Sequence, residues 1–219
     1  MSTQLGFLQP NDWTLADEET GKIVYRPGVY SHEEAETLFQ LFVREIPWSQ
    51  DTVRMYDRMV AVPRLRKSYL DVAELPEALQ AIRARVEAIE GTTFNRVSLN
   101  YYRDQNDGVA WHSDHEEEMI DRPTIVLVSL GAPRPMDIRE RANHRARWHI
   151  TLEPGSLLTM SGYAQRHYEH AILKLREPTS PRISIALRQY APDGAAHQPC
   201  AQCAGARART SKPAESEKA

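Results

Sequence analysis

The chain has 219 residues, a net charge of −3 at neutral pH and a pI near 6.3. This length suits one domain with a sizeable core, and the charge excludes a uniformly basic nucleic-acid binder while allowing local basic patches. No apolar run approaches the ~18 residues of a membrane span, and the N-terminal stretch lacks the design of a signal peptide. Only Cys200 and Cys203 occur, so we expect no disulfide framework and a reducing, cytoplasmic location.

Two amphipathic helices are predicted in the first half of the chain. Ser31 and Glu34 have the spacing of a capping box, and the apolar residues that follow recur at helical intervals up to about Glu45. Pro76 begins the second helix, whose apolar stripe ends at Gly91. Both stripes indicate packing against a core, and neither carries candidate catalytic residues.

The segment between the two helices is basic, with Arg54, Arg58, Arg64, Arg66 and Lys67. Short strands are predicted on either side of Pro63, over 60–62 and 69–72. One interpretation is a solvated edge whose arginine side chains extend into water. The other is a rim that contacts phosphate groups. The composition favours neither.

After Gly91 the apolar period changes from helical to two, which predicts short strands separated by turns. Such strands with no long helices between them indicate an antiparallel sandwich or jelly roll, so the expected fold class is α+β. Residues 1–190 are predicted to form a single domain with a core over about 92–190, and 191–219 a disordered tail. In that tail His197, Cys200 and Cys203 have zinc-like spacing but are too few for a complete site.

His112 and Asp114 lie two residues apart in the stretch from Asn100 to Glu118. On an extended segment alternate side chains share one face, so the imidazole and the carboxylate would point the same way. With one more histidine they would form the two-His-one-carboxylate triad of non-haem Fe(II) oxygenases. The pair alone is a weak motif, and the third ligand has several candidates: His115, His144, His149, His167 and His170.

The last predicted strand carries an arginine at each end, Arg182 and Arg188. Ile183, Ile185 and Leu187 form one apolar face, so the two arginines share the other face with Ser184 and Ala186. If that face lines the inside of the fold, each guanidinium must meet an anion, because an unpaired buried charge is costly. A dicarboxylate would supply two carboxylates. The alternative is an exposed edge strand with two surface arginines.

Taken together, these motifs resemble the AlkB family of Fe(II)- and 2-oxoglutarate-dependent dioxygenases, which remove alkyl lesions from nucleic-acid bases. The motifs are Asn100-x-Tyr102, Trp111-His112-Ser113-Asp114, Ser129-Leu130-Gly131, Gly155 to Met160, His170-x-x-x-Lys174 and Arg182-x5-Arg188. The resemblance spans roughly Gly28 to Tyr190 and implies a double-stranded β-helix, or jelly-roll, core with the N-terminal helices packed against one sheet. It implies that His112, Asp114 and His170 are the iron ligands. It also implies that Asn100, Tyr102, Arg182 and Arg188 hold 2-oxoglutarate, and that O2 is the other cosubstrate.

The sequence departs from the family on the substrate side. His115 follows Asp114 where the family often has a second acid that faces the substrate base, and Glu116 comes next. The aromatic lid is thin, with Tyr69 and Tyr56 as its candidates. The residues expected near substrate are Trp111, His115, Glu116, Tyr69 and Arg134, and the basic segments 54–67 and 134–147 are candidates for contact with the nucleic-acid backbone.

The resemblance implies oxidative demethylation of alkylated DNA or RNA bases, with release of succinate, CO2 and formaldehyde. The expected substrate is single-stranded, or has its target base flipped out of a duplex. We expect a monomer that binds no membrane. An oxygenase that acts on a protein or a small molecule is the alternative, since the lid is thin and the pI is acidic. A binding module without activity agrees poorly with a complete ligand set.

Overall fold

The computed structural model describes residues 12–16, 19, 21–55, 57–144 and 147–192 of the chain. Tyr56 and the tail residues His197, Cys200 and Cys203 lie outside the described residues, so the predictions made for them stay predictions. The same holds for the proposed domain limits. Within the described ranges, no helix is long and apolar enough to cross a membrane.

The two long helices form where the sequence predicts them: α1 covers His32–Glu45 and α2 covers Glu77–Glu90. The Ser31 hydroxyl accepts the Glu34 N–H at 3.1 Å, and the Glu34 carboxylate accepts the Ser31 N–H at 2.8 Å, which completes the capping box. Gly91 ends α2 with a φ of 67°, a left-handed conformation that glycine adopts without a Cβ clash.

Two predictions of local structure need correction. The strand expected at 69–72 is wrong, because the strand ends at Tyr69 and a 3₁₀ turn, Val72–Glu74, follows. A short helix, α3 (Ala164–His167), lies where no helix was predicted. Four residues are too few for a periodic pattern to reveal a helix.

The strands of the described chain form two facing antiparallel sheets and a separate hairpin. The larger sheet has seven strands in the order β1-β2-β11-β8-β13-β6-β5, the smaller has four in the order β10-β9-β12-β7, and β3 pairs only with β4. The strands are β1 (Trp13–Ala16), β2 (Lys22–Arg26), β3 (Thr52–Met55), β4 (Arg58–Ala61), β5 (Leu65–Tyr69), β6 (Arg96–Tyr102), β7 (Val109–His112), β8 (Ile125–Gly131), β9 (Arg134–Glu140), β10 (Arg147–Leu152), β11 (Leu157–Ser161), β12 (Tyr168–Ile172) and β13 (Arg182–Arg188).

The larger sheet separates two hydrophobic cores. On one face, apolar residues of β6, β8 and β13 pack against the buried stripes of α1 and α2, which include Phe39, Phe42, Leu79 and Ile82. On the other face, a second core fills the space between the two sheets. Because side chains alternate along a strand, each central strand serves both cores. The two long helices, α1 and α2, therefore cover the outer face of the larger sheet.

β13 lies in the middle of the larger sheet, hydrogen-bonded to β8 on one side and β6 on the other. The alternative interpretation of this segment as an exposed edge strand is therefore wrong. Ile183, Ile185 and Leu187 pack into the core beneath the helices. Arg182 and Arg188 point the other way, into a cavity between the two sheets.

Candidate active site

The smaller sheet brings two histidines side by side. His112 ends β7 and His170 lies on β12, and the two residues are direct partners in the strand register, with ring centroids 4.4 Å apart. Asp114 follows in the loop after β7, with its Oδ1 3.7 Å from His112 Nε2. The three donor atoms lie within 4.8 Å of one another and so converge on one region of the cavity.

The other candidate histidines do not reach this point. His149 pairs with Asp137 and His144 with Glu169, both on the outer face of the smaller sheet. His167 is exposed at the end of α3, and His115 is exposed at the mouth of the cavity. Among the described residues, His170 is thus the histidine that the fold places with His112 and Asp114.

The hydrogen bond of His112 and the protonation states of His170 and Asp114 suit a divalent metal. His112 Nδ1–H donates to the Ala110 carbonyl at 2.9 Å, which leaves Nε2 with its lone pair free. Burial lowers the pKa of His170 to about 4. Burial alone would raise the pKa of Asp114, but Arg188 and the two histidines outweigh it and hold that pKa below its usual value. Neutral imidazoles and an ionised carboxylate are the forms that bind metal, so the donor set fits Fe(II).

Arg188 connects the last strand to the metal-binding loop. Its Nε donates to Asp114 Oδ2 at 2.8 Å, and its Nη1 donates to the Ser98 hydroxyl at 2.6 Å. The side chain is thus held from two sides against the carboxylate predicted to ligate iron. Of the two arginines on β13, Arg188 is therefore the one that contacts the metal site.

Arg182 lies at the closed end of the cavity and is only 1% exposed. Its Nη2 donates to the Ser129 hydroxyl at 2.9 Å, but Nε and Nη1 are buried without a hydrogen-bond partner among the described residues. Burial lowers the pKa of this guanidinium, and leaving N–H groups of a cation unpaired in the interior is costly. A carboxylate in the cavity would accept from this guanidinium and offset the burial of its charge, so the residues present fit a dicarboxylate such as 2-oxoglutarate.

Tyr102 and Asn100 lie on β6 beside these arginines, with side chains that line the same cavity. The Arg182 guanidinium lies 5.4 Å from the centre of the Tyr102 ring. Burial raises the pKa of the Tyr102 phenol although Arg182 and Arg64 oppose the shift, so this hydroxyl stays a hydrogen-bond donor at neutral pH. Asn100 Oδ1 accepts from Arg64 Nε at 2.8 Å, which orients its amide.

The cavity has a volume of about 480 Å³, within the range of small-molecule sites. Its wall carries the metal-binding group, the buried Arg182 at the closed end, and the exposed residues Leu70 and His115 toward the mouth. The structure therefore brings together all seven residues assigned to iron and 2-oxoglutarate: Asn100, Tyr102, His112, Asp114, His170, Arg182 and Arg188.

Four of the expected substrate residues lie elsewhere. Tyr69 is buried in the core beneath the helices, on the face of β5 opposite Arg66 and Ser68. Trp111 is one position from His112 on β7 and so faces the opposite side of the sheet, where the Arg139 guanidinium stacks 3.8 Å from its ring centre. Glu116 does not line the cavity and forms an ion pair with Arg166 at 2.8 Å. Arg134 is 1% exposed and donates to the carbonyls of Asp104, Asp107 and Leu173. These four predictions are corrected: Tyr69 packs in the helix-side core, and the other three side chains brace loops and an outer surface.

The two basic segments differ in whether their arginines reach the cavity. Arg64 and Arg66 of the first segment line the cavity. In the second, Arg139 pairs with Glu169 and Arg141 donates to the Gln165 carbonyl, and neither reaches the cavity. The side chains of Arg145 and Arg147 lie outside the described residues. A contact with substrate is thus better supported for the segment 54–67 than for 134–147.

Sequence reasoning missed Ser98 and Ser129, which position the two arginines. A pattern could have identified Ser98, because it shares the alternate-residue face of β6 with Asn100 and Tyr102. Ser129 required the strand register, which pairs it with Ser184.

The known proteins to which this chain is similar support the assignment of this site to iron and 2-oxoglutarate. The family profile of the 2OG-Fe(II) oxygenase superfamily matches residues 61–189. The chain is 28% identical over 203 residues to alpha-ketoglutarate-dependent dioxygenase alkB homolog 3 of Mus musculus, an alignment that covers 82% of this chain and 70% of the relative. It is 26% identical over 208 residues to DNA oxidative demethylase ALKBH2 of Arabidopsis thaliana, covering 76% and 65%.

A solved structure, that of OsALKBH1, superposes with a TM-score of 0.55 at 13% identity and covers 77% of this chain and 96% of that one. This likeness concerns the fold, and it confirms the predicted α+β double-stranded β-helix. The profile match extends from the end of the β3–β4 hairpin to the end of β13, so it includes every residue assigned to iron and 2-oxoglutarate. The chain therefore belongs to the 2OG-Fe(II) oxygenase superfamily and, within it, to the AlkB family of Fe(II)- and 2-oxoglutarate-dependent dioxygenases.

Proposed function

We propose that this dioxygenase removes alkyl groups from the bases of DNA or RNA, as the names of its relatives describe for those proteins. The observation that carries the proposal is the charge of the cavity. Among the described lining residues are five arginines and a single carboxylate, that of Asp114. Arg188 pairs with this carboxylate, and a carboxylate of 2-oxoglutarate would pair with Arg182. Arg64, Arg66 and Arg96 remain as cations beyond these pairs.

These three arginines favour a polyanionic substrate. Arg66 is partly exposed and its ion pair with Asp51 is likewise exposed to water, so the pair is weak and phosphate can compete for the guanidinium. Arg96 lies 5.4 Å from the Tyr190 ring centre at the same cavity. These arginines would hold the backbone of a strand whose target base enters the cavity past Leu70 and His115. A base in a duplex would have to be flipped out to do so.

When bound, Fe(II) with 2-oxoglutarate and O2 supplies the oxidising chemistry that hydroxylates an N-alkyl group, after which the alkyl carbon leaves as an aldehyde. His112, Asp114 and His170 would hold the metal. Arg182 and Arg188, with Tyr102 and Asn100, would orient the cosubstrate. The protein thus contributes geometry and the placement of charge, while the bound group breaks the bonds.

Turnover of 2-oxoglutarate, measured with and without methylated oligonucleotides, tests the proposal. Methylated single strands of DNA or RNA should stimulate succinate formation and release formaldehyde, and unmethylated strands of the same sequence should not. Replacing Arg66 and Arg96 by serine should weaken binding and reduce its salt dependence, since fewer counterions are released. Turnover stimulated by a peptide or a small amine, but by no oligonucleotide, would contradict the proposal. The monomeric state and the cytoplasmic location stay predictions.

A further inference from the structure

The loop that carries Asp114 has no strand partner at that residue. β7 ends at His112 and β8 begins at Ile125, so the backbone N–H of Asp114 is not part of a ladder. Buried backbone N–H groups need a partner, and in this loop the partner comes from a side chain of another element. The Asp114 N–H donates to Oε1 of Gln165 at 2.8 Å.

Gln165 is well placed to act as a fixed acceptor. It lies on α3 and is 4% exposed. Its Nε2 donates to the Met160 sulfur at 3.4 Å, a weak acceptor that cannot replace the oxygen in the contact with Asp114. The orientation of the amide is therefore determined, because only the oxygen can accept the Asp114 N–H.

α3 leads directly into β12, which carries His170. Two further contacts join the same region to the loop: the Ser113 hydroxyl donates to the Tyr168 carbonyl at 2.8 Å, and Arg166 pairs with Glu116 at 2.8 Å. Gln165 differs from these because its bond is to the metal-binding residue itself. Its oxygen and the Arg188 guanidinium hold Asp114 from two directions, one at the backbone and one at the carboxylate.

We propose that Gln165 is a positioning residue for the metal site, which sets the backbone of Asp114 so that its Oδ1 faces Nε2 of His112. This inference rests on the three-residue metal site and is independent of the substrate. Groups that orient metal ligands without touching the metal typically change metal affinity by about 10- to 100-fold when removed.

Metal binding by the purified apoprotein tests the proposal without turnover. Co(II) is titrated into the wild-type chain and into variants, with calorimetry for the Kd and visible absorption for the coordination geometry. Gln165→Leu should raise the Kd for Co(II) about tenfold or more and change the absorption bands. Gln165→Glu keeps an acceptor oxygen at the same chain length, so it should restore most of the affinity.

Gln189→Leu is the matched control. The Gln189 Oε1 accepts the N–H of Thr124 at 2.8 Å, and its Nε2 donates to Thr92 and Thr93. The same type of bond is thus lost at the other end of the same loop, and the Kd for Co(II) should stay within about twofold of wild type.

Two results would overturn the proposal. In the first, Gln165→Leu lowers the melting temperature but leaves the Kd and spectrum unchanged, so the role is structural only. In the second, Gln189→Leu raises the Kd as much as Gln165→Leu does, so any loosening of the loop suffices. If the wild-type chain binds no Co(II), the metal site itself fails, and that result differs from both. None of these outcomes depends on whether nucleic acid is the substrate.

Discussion

The two faces of the seven-stranded sheet use the same strands for opposite purposes. On the helix side, Ile185 of β13 is fully buried among apolar neighbours. On the cavity side of that strand, Arg182 is also buried, but two of its nitrogen atoms have no hydrogen-bond partner within the described ranges. Burial on the first face stabilises the fold, whereas burial on the second costs stability unless a ligand is present. The buried guanidinium of the cavity wall thus destabilises the unliganded protein but prepares it to bind an anion. The apolar packing on the opposite face of the same sheet offsets that cost.

The largest effect should come from the metal carboxylate on the cavity side. Asp114→Ala removes a predicted iron ligand and the partner of Arg188, so 2-oxoglutarate turnover should fall at least a hundredfold, beyond the effect of losing a group that only orients a ligand. The helix-side packing is untouched, and the far-ultraviolet circular dichroism spectrum should stay that of the wild type. Turnover is measured by succinate formation. The control is Asp137→Ala, which removes the partner of His149 on the outer face and should retain activity. Near-wild-type turnover in Asp114→Ala would mean that the iron binds elsewhere.

The next effect concerns Arg182, where the two faces differ most. Arg182→Lys should raise the KM for 2-oxoglutarate by about 10- to 100-fold, because one ammonium cannot reproduce the fork of a guanidinium and a charged hydrogen bond contributes about 1.5–3 kcal/mol. The measurement is the dependence of succinate formation on 2-oxoglutarate concentration. An unchanged KM would refute the assignment of the closed end to the cosubstrate.

Arg182→Met serves as its control. This variant removes the unpartnered N–H groups and should leave the free energy of unfolding of the apoprotein equal to or above that of the wild type. It should nevertheless lose 2-oxoglutarate binding.

A smaller effect is expected from Ile185→Val on the helix side. Loss of one buried methylene there should lower the free energy of unfolding by about 1 kcal/mol, since the surrounding core cannot fully close the space. The KM for 2-oxoglutarate should not change, because the side chain points away from the cavity. Chemical denaturation and steady-state kinetics on the same preparation check both halves. A change in KM without a loss of stability would mean that the two faces are not independent.

The smallest effect at neutral pH concerns Tyr30, whose buried hydroxyl on the helix side has no hydrogen-bond partner in the part of the chain that the structure describes. Unlike Arg182, it lies outside the cavity that holds the metal site. Tyr30→Phe should therefore be neutral or stabilising by up to about 1 kcal/mol at pH 8, with turnover unchanged. A loss of activity would show that the helix side also serves catalysis.

The same residue gives a pH test. Burial raises the pKa of Tyr30 from 10.0 to about 12, although Arg85 opposes the shift. Between these values the unfolded chain releases a proton that the folded protein keeps, so wild-type stability should fall as the pH rises from about 10 to about 12. The phenylalanine variant lacks this component. The free energy of unfolding is measured in urea at each pH for both proteins. The value for the variant minus that for the wild type should rise across this window by roughly 2–3 kcal/mol.

The sequence by itself determined much of this protein. Capping residues and the apolar period located α1 and α2, the period-two pattern located the main strands, and ordered motifs identified the family. It also indicated that Arg182 and Arg188 share one face of a strand. These features are local, since they depend on residues a few positions apart.

Only the tertiary structure decided which side chains meet. It selected His170 among five histidines, because strand register places it opposite His112. It showed that Trp111 and Arg134 lie outside the cavity. It also revealed α3 and the contact of Gln165 with Asp114, two residues that are distant in the sequence. Partners of this kind are fixed by the pairing of distant strands and by the alternation of their faces, so no local pattern records them.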